Sequence, residues 1–348
     1  MRGHVLGESH RPSPQEISDC DGKMLQYLVR QNRLDLALFP TENMKHACLF
    51  LTLQKWLVYV VRTFKENNIF VIVLKGIPLN HLLYGERCIR RSKDIDLWVS
   101  PDQLVHAHRC LLGLGFVLDS ALSPEELETS SSTFLKESIV DFTYNHASEK
   151  ISIELHQRTQ VVASILFPDP ETCSFVTILD TRIPILNLET YFVYLCAHAA
   201  SHHWSRLQWL VDLAIFYMKF PLDWTMVMKV ANETASVRAL YESLTLLRSF
   251  FKLDTPSFSL SLLDRFSIWY RLKFFRKIWH KPLSNSRILF LSTLLYPYVS
   301  QKYRLTIGTV FNTNLCRGQI SRYPTHPMWV ILFTVLFSHY IKREFRYA

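Results

Sequence analysis

Glycine and proline are scarce in this chain, 9 and 15 of 348 residues. Together with 49% hydrophobic and 20% charged residues, that excludes collagen-like sequence, long low-complexity linkers and intrinsic disorder. The seven cysteines, at 20, 48, 88, 110, 173, 196 and 316, are odd in number, scattered and without a CxxC pair. They do not read as a disulfide framework and are expected as reduced thiols, many of them buried. The polar N-terminal stretch MRGHVLGESHRPSPQEISDCDGK lacks the apolar run of a signal peptide, so a cytoplasmic location is expected. No internal repeat is visible. Residues 327 to 341 are apolar, yet shorter than the roughly 20 residues a membrane span needs, and they read first as a buried helix.

What the chain has is length enough for one large or two modest domains, and charge placed unevenly. Of 39 Lys and Arg, 14 lie from Arg265 onward, against one of the 30 acids, Glu344. Residues 1–264 therefore hold 25 bases and 29 acids, and the net charge of +9 belongs to the last quarter. Such a segment suits phosphate-rich partners, either anionic lipid or nucleic acid. In FSIWYRLKFFRKIWHK, Ile268, Leu272, Phe275 and Trp279 form one helical stripe with Arg271, Lys273, Arg276 and Lys277 mostly around it, the pattern of an interfacial helix. Gripping an RNA backbone is the other option, although no nucleic-acid module is recognisable.

The pattern predicts a helix over residues 42 to 66, a buried strand at 69 to 74 and a break at Lys75-Gly76, with Pro78 where a helix can start. DIDLWV (94 to 99) is a strand, a helix follows Pro101-Asp102 up to Gly113, and FVL (116 to 118) is a short strand, together a βαβ-like unit. Residues 120 to 133 read as a Ser/Glu-rich loop, and IVDFTYNH with ISIELHQ as a hairpin across ASEK. From Asn187, an expected N-cap, the pattern turns helical, with a break near Ser201. Asp223 and Ser236 are expected to cap two further helices.

The chemistry concentrates in LKGIPLNHLLYGERCIRRSKDIDLWV, residues 74 to 99. Residues i and i+2 of a strand share a face, so Asp94 and Asp96 form one acidic pair while Ile95 anchors the opposite side. Paired carboxylates raise each other's pKa, and hard divalent cations such as Mg²⁺ relieve the repulsion while retaining substrate phosphates. Two ions about 3.5–4 Å apart would serve an in-line phosphoryl displacement. Glu154, bracketed by Ile153 and Leu155, is the best third ligand, with Asp141 as fallback. His156 shares the face of Glu154 and could orient an acceptor or take its proton. Lys75 and Gly76 supply a cation and a flexible turn ahead of a helix N-terminus, suited to phosphate.

These residues resemble the uncharacterised nucleotidyltransferase family within the polymerase-beta-like superfamily of minimal nucleotidyltransferases. The resemblance rests on Leu74-Lys75-Gly76, the apolar Leu79-to-Tyr84 segment, Arg90, Asp94-Ile95-Asp96-Leu97-Trp98-Val99, and Glu154-Leu155-His156. A further block matches as His198, His202, Trp204, Arg206, Leu207, Trp209, Leu210 and Asp212, so the likeness covers roughly residues 45 to 220. It implies an α+β fold, with a small mixed β-sheet nucleotidyltransferase core and flanking helices, followed by a mostly helical C-terminal region. It also implies transfer of a nucleoside monophosphate from an NTP to a hydroxyl or other acceptor, with Mg²⁺ (or Mn²⁺) held by Asp94, Asp96 and Glu154.

The chain departs from the superfamily where Ile77, and not serine, follows Gly76, and where eighteen positions separate Gly76 from Asp94. Lys75, Arg90 and Arg91 are the candidates to take over phosphate binding. His198, His202 and Arg206 stand at i, i+4 and i+8, one face if the helix is continuous. They suit an acceptor-binding or phosphate-facing role or, equally, a plain structural one, and zinc lacks a third ligand there. Asp212 is expected to orient Arg206 or cap a packing contact. The expected organisation is a loose arm at 1–22, the core at 23–186, an acceptor- or nucleotide-side helical region at 187–264 and the basic aromatic region at 265–348. The acceptor remains open among small hydroxylated molecules, sugars, proteins and RNA. The alternative is an inactive binding or scaffold protein on the same fold, with the basic region meeting membrane or RNA.

Overall fold

The computed structural model describes residues 40–120, 122–131, 139–158 and 167–278. The arm at 1–22, the basic segment after residue 278 and the apolar stretch at 327–341 lie outside the described residues.

Helix α1 (Pro40–Glu66) leads through a left-handed Asn68 into strand β1 (Val71–Val73). There follow α2 (Ile77–Tyr84), β2 (Asp94–Val99), α3 (Leu104–Gly113) and β3 (Phe116–Leu118). A short helix α4 (Pro124–Thr129) precedes the hairpin β4 (Asp141–His146) and β5 (Ser152–His156). These five strands form one mixed sheet in the order β1-β2-β5-β4-β3. β2 and β5 are parallel and the other neighbours antiparallel. The expected βαβ unit is therefore split: β2 and β3 run the same way, but the β4–β5 hairpin is inserted between them.

One face of the sheet is apolar because Ile95, Leu97, Ile153, Leu155 and Phe142 alternate with polar neighbours along their strands. α1 and α3 cover that face. Trp56 of α1 meets the ring of Phe116 edge-on, and His108 of α3 bonds the hydroxyl of Tyr144 at 2.7 Å. The stretch His46–Glu66 of α1 is long and apolar enough to cross a membrane by composition alone, and Leu53, Leu57, Val60 and Phe64 within it are fully buried in the core.

Within residues 120 to 133, expected as a loop, the chain forms α4. Its start carries a capping box, with Ser123 accepting from the Glu126 N–H and Glu126 accepting from the Ser123 N–H. The hairpin β6 (Ser174–Ile178) and β7 (Thr181–Ile185) was also unforeseen, and it packs against β1, α1 and α2. Its turn places Leu179 and Asp180 in the left-handed region without the usual Asn-Gly signal. Arg62 of α1 secures it by donating to the Thr181 hydroxyl and the Leu179 carbonyl.

The rest is helical: α5 (Leu188–Ser201), α6 (Leu207–Lys219), α7 (Trp224–Glu233), α8 (Val237–Phe251) and α9 (Leu262–Ile278). Asn187 caps α5 through the Thr190 N–H, Asp223 caps α7 through the Thr225 and Met226 N–H groups, and Ser236 precedes α8. α9 runs across the boundary expected at 264/265. It turns Ile268 inward as the stripe predicts, but Arg271 inward as well, where a solvated rim was expected.

Candidate active site

The parallel pairing of β2 with β5 sets Asp96 opposite Glu154 and Trp98 opposite His156. Opposed residues of neighbouring strands share a face. Asp94, Asp96, Glu154 and His156 therefore emerge together on the face that α1 and α3 leave uncovered. Ligand atoms of Asp96, Glu154 and His156 lie within 4.8 Å of one another. Asp94 is half-buried two positions up the strand, outside that closest cluster. Asp141, the fallback ligand, pairs with His156 across the hairpin and adds its charge there.

Lys75 reaches the cluster because the Leu74 N–H donates to the Asp96 carbonyl, extending the β1–β2 ladder past the end of β1. Its Nζ donates to Asp96 Oδ1 at 2.5 Å. Gly76 then turns the chain at φ 77° into α2, with Pro78 in the first turn. A Cβ at Gly76 would stand 3.0 Å from Ser92 Oγ, which itself donates to the Asp94 carbonyl. Ser92 was not singled out from the sequence; its hydroxyl sits where the Gly76 turn meets the base of β2. Gly76→Ala is expected to destabilise by about 1–3 kcal/mol through backbone strain, read as a lower urea midpoint. Ser92→Ala in the same chain should recover only the steric part.

Charge shapes the cluster. Burial opposes the Asp96 carboxylate, but Lys75 and His156 outweigh it and hold the acid well below the usual range. Burial likewise opposes the Lys75 ammonium, and Asp96, Asp94 and Glu154 together raise its pKa. His156 lies 3.5 Å from Asp96 Oδ1 and 3.6 Å from Glu154 Oε2. Burial would lower its pKa, but the carboxylates Asp96, Glu154 and Asp141 push it up to about 10. The carboxylates thus favour the protonated imidazole. For Glu154, contact with His156 favours the charged form, yet burial and the neighbouring Asp96 charge raise its pKa overall.

A stripe of α5 closes over this face. Tyr191, Tyr194, His198 and His202 follow one another at helical spacing, with Tyr194 and His198 stacked at 6.1 Å and the His198 and His202 rings 4.7 Å apart. The spacing i, i+3, i+7 and i+11 puts Tyr191 and Tyr194 on one face with the two histidines, a signal present in the sequence. Burial, then His202 and Lys75, drive His198 far below its ordinary pKa. His202, an exposed residue, lies tilted against Trp209 with ring centroids 5.3 Å apart, and its pKa is also pushed down, by desolvation of its ring and the charges of Lys75 and Arg206. The helix is not continuous: α5 ends at Ser201, and Arg206 returns to the group after a turn, its guanidinium 5.5 Å from the Trp209 ring.

Arg90 and Asp212 are committed elsewhere. Arg90 is 5% exposed and its Nε donates to Asp212 Oδ2 at 2.9 Å, while the Tyr84 hydroxyl donates to Asp212 Oδ1 at 2.6 Å. Asp212 thus orients Arg90, where Arg206 or a packing contact was expected, and the buried Arg90 ties the loop between α2 and β2 to α6. Arg91 is half-buried, its carbonyl accepting from Gln208 Nε2 at 3.3 Å.

Asp96 Oδ2 and both His156 ring nitrogens are buried without a hydrogen-bond partner. Buried polar atoms are ordinarily satisfied, and two crowded carboxylates attract a cation. The carboxylate oxygens of Asp96 and Glu154 fit a divalent ion of the hard class. Lys75 supplies positive charge at the other Asp96 oxygen, Oδ1.

β2 thus carries an acidic pair, β5 an acid opposite Asp96, and the turn after β1 a lysine beside them. The family model described as uncharacterised nucleotidyltransferase matches residues 44–252, and the chain belongs to that family. Among solved structures, the solution structure of the antibiotic-resistance factor ANT(2'')-Ia is similar at 14% identity and a TM-score of 0.37, covering 56% of this chain and 96% of its own. No curated protein matches the chain.

Proposed function

We propose that this nucleotidyltransferase moves a nucleoside monophosphate from an NTP to an acceptor hydroxyl, with Mg²⁺, or Mn²⁺ in its place, held by Asp94, Asp96 and Glu154. The observation that carries the reading is the Asp96–Glu154 register, which leaves Asp96 Oδ2 buried and unpartnered beside a second carboxylate. Bound there, the ion would neutralise charge at the transferring phosphoryl and acidify the attacking hydroxyl.

The chain's own groups divide the remaining work. Lys75 and the N-terminus of α2 behind Gly76 offer positive charge to phosphate oxygens. His156 stands within ion-pair distance of both acids. His198 and His202, uncharged and packed ring against ring, with Trp209 behind them and Arg206 at the rim, form a wall for the nucleotide or the acceptor. A cytoplasmic location is part of the same proposal.

The test is incubation of labelled ATP, CTP, GTP and UTP with cell extract plus protein and Mg²⁺. Label should pass from one NTP to a discrete acceptor with the wild type and not with Asp94→Ala/Asp96→Ala. Transfer unaffected by that double substitution would reject the reading.

A further inference from the structure

The five residues that join α5 to α6, His202 to Arg206, carry both ends of the wall opposite Lys75. His203 and Trp204 within them are in the left-handed region, with φ of 55° and 56°. Side chains rarely adopt that conformation unless their surroundings impose it. Backbone bonds from the Trp204 N–H to the Ala199 carbonyl and from the His203 N–H to the Ala200 carbonyl close the turn. What imposes it lies outside the turn. The Trp204 ring is fully buried and its Nε1 donates to Glu242 Oε1 of α8 at 2.7 Å.

Glu242 is itself buried, and its charge is met by Arg271 of α9, whose Nε donates to Oε2 at 2.6 Å and whose Nη2 donates to Oε1 at 3.2 Å. The same Nη2 donates to the Ala200 carbonyl at 2.6 Å, in the last turn of α5, where a cation is favoured. Nη1 lies 3.4 Å from His203 Nδ1. One guanidinium thus joins a carboxylate of α8 to a carbonyl at the end of α5 and an imidazole in the turn that follows. α9 lies beyond the residues, 44–252, that the family model matches.

We propose that Arg271 is a positioning residue of the active site: acting through Glu242, Trp204 and the Ala200 carbonyl, it fixes the turn that presents His202 and Arg206 across from Lys75. The last described helix is on this account part of the machinery. Arg271, which α9 turns inward, holds protein groups, so it is not available to lipid or nucleic acid. The inference rests on the reading that His198, His202 and Arg206 belong to the site. Planar geometry matters, because a fork of donors can hold Glu242 and a carbonyl at once, whereas a lysine ammonium offers a point charge.

The experiment compares full-length wild type, Arg271→Gln, Arg271→Lys, Arg206→Ala and Arg271→Gln/Arg206→Ala. Circular dichroism establishes folding, and the imidazole NMR resonances of His198, His202 and His156 are assigned with single His→Gln variants. The expected result is that folded Arg271→Gln and Arg271→Lys shift the His198 and His202 resonances and leave His156, on β5, in place. Transfer to the acceptor found by labelling should fall roughly tenfold or more in kcat/KM, as misplacement of a positioned group does. In the Arg206→Ala background the same substitution should cost clearly less, because both act on one turn. Should Arg271→Gln fail to fold, Arg271→Lys and Glu242→Gln carry the same readouts. Unmoved His198 and His202 resonances in a folded variant, or effects that add in full with Arg206→Ala, would overturn the proposal. A wild type without transfer activity would count against the proposed reaction, while the resonances would still decide whether Arg271 sets the turn.

Discussion

Asp96→Asn is expected to cut nucleotidyl transfer by about 10³-fold or more, since losing a metal-held carboxylate removes several kcal/mol of charge stabilisation and each 1.4 kcal/mol is tenfold. The substitution is nearly isosteric and should leave the protein folded. Lys75 loses its closest partner but keeps the charges of Asp94 and Glu154, both of which already act on it. The amide would turn an N–H₂ or a neutral oxygen toward the position now occupied by the unpartnered Oδ2. The check is the rate of label transfer at saturating Mg²⁺, with circular dichroism alongside; a folded Asp96→Asn retaining more than about a tenth of wild-type rate would break the assignment.

The largest stability effect is expected at Asp212. It is 2% exposed and takes hydrogen bonds from both Arg90 and Tyr84, so Asp212→Ala would leave a guanidinium and a phenol buried without their acceptor. Breaking a buried pair on one side costs about 3–5 kcal/mol, where a surface pair costs about 0–1. Urea unfolding should therefore show a midpoint well below wild type, and Arg90→Met/Asp212→Leu should recover a good part of the loss because no charge is then left unpaired. A loss of only about 1 kcal/mol in the single variant would mean that water reaches Arg90 in solution.

These two sites also mark what the sequence can and cannot say. Asp94, Asp96 and Glu154 were legible because a period of two fixes the face of each strand, and an acid between apolar neighbours can point only one way once those neighbours enter the core. The caps at Asn187 and Asp223 were legible for an equally local reason: their side chains bond N–H groups two or three residues on. The partner of Arg90 lies 122 positions away, and no local rule selects Asp212 over Glu86 or Glu125. Arg271 is the sharper case. In the basic run from Arg265 it looks like its neighbours, and only the packing of α9 on α8 turns it toward Glu242, 29 positions back. Chain reversal hid the β6–β7 hairpin, whose Leu179-Asp180 turn takes a left-handed path that its residue types do not advertise. The capping box at Ser123 was in the sequence all along, masked by the serine-rich stretch around it.

The central claim is that carboxylates from β2 and β5 hold one divalent cation between them. It is tested most directly by titrating Mn²⁺ into wild type, Asp96→Asn and Glu154→Gln and following free Mn²⁺ by electron paramagnetic resonance. The account predicts that each substitution, on its own strand, weakens binding by about tenfold or more. Equal Mn²⁺ affinity in wild type and folded Glu154→Gln would contradict it.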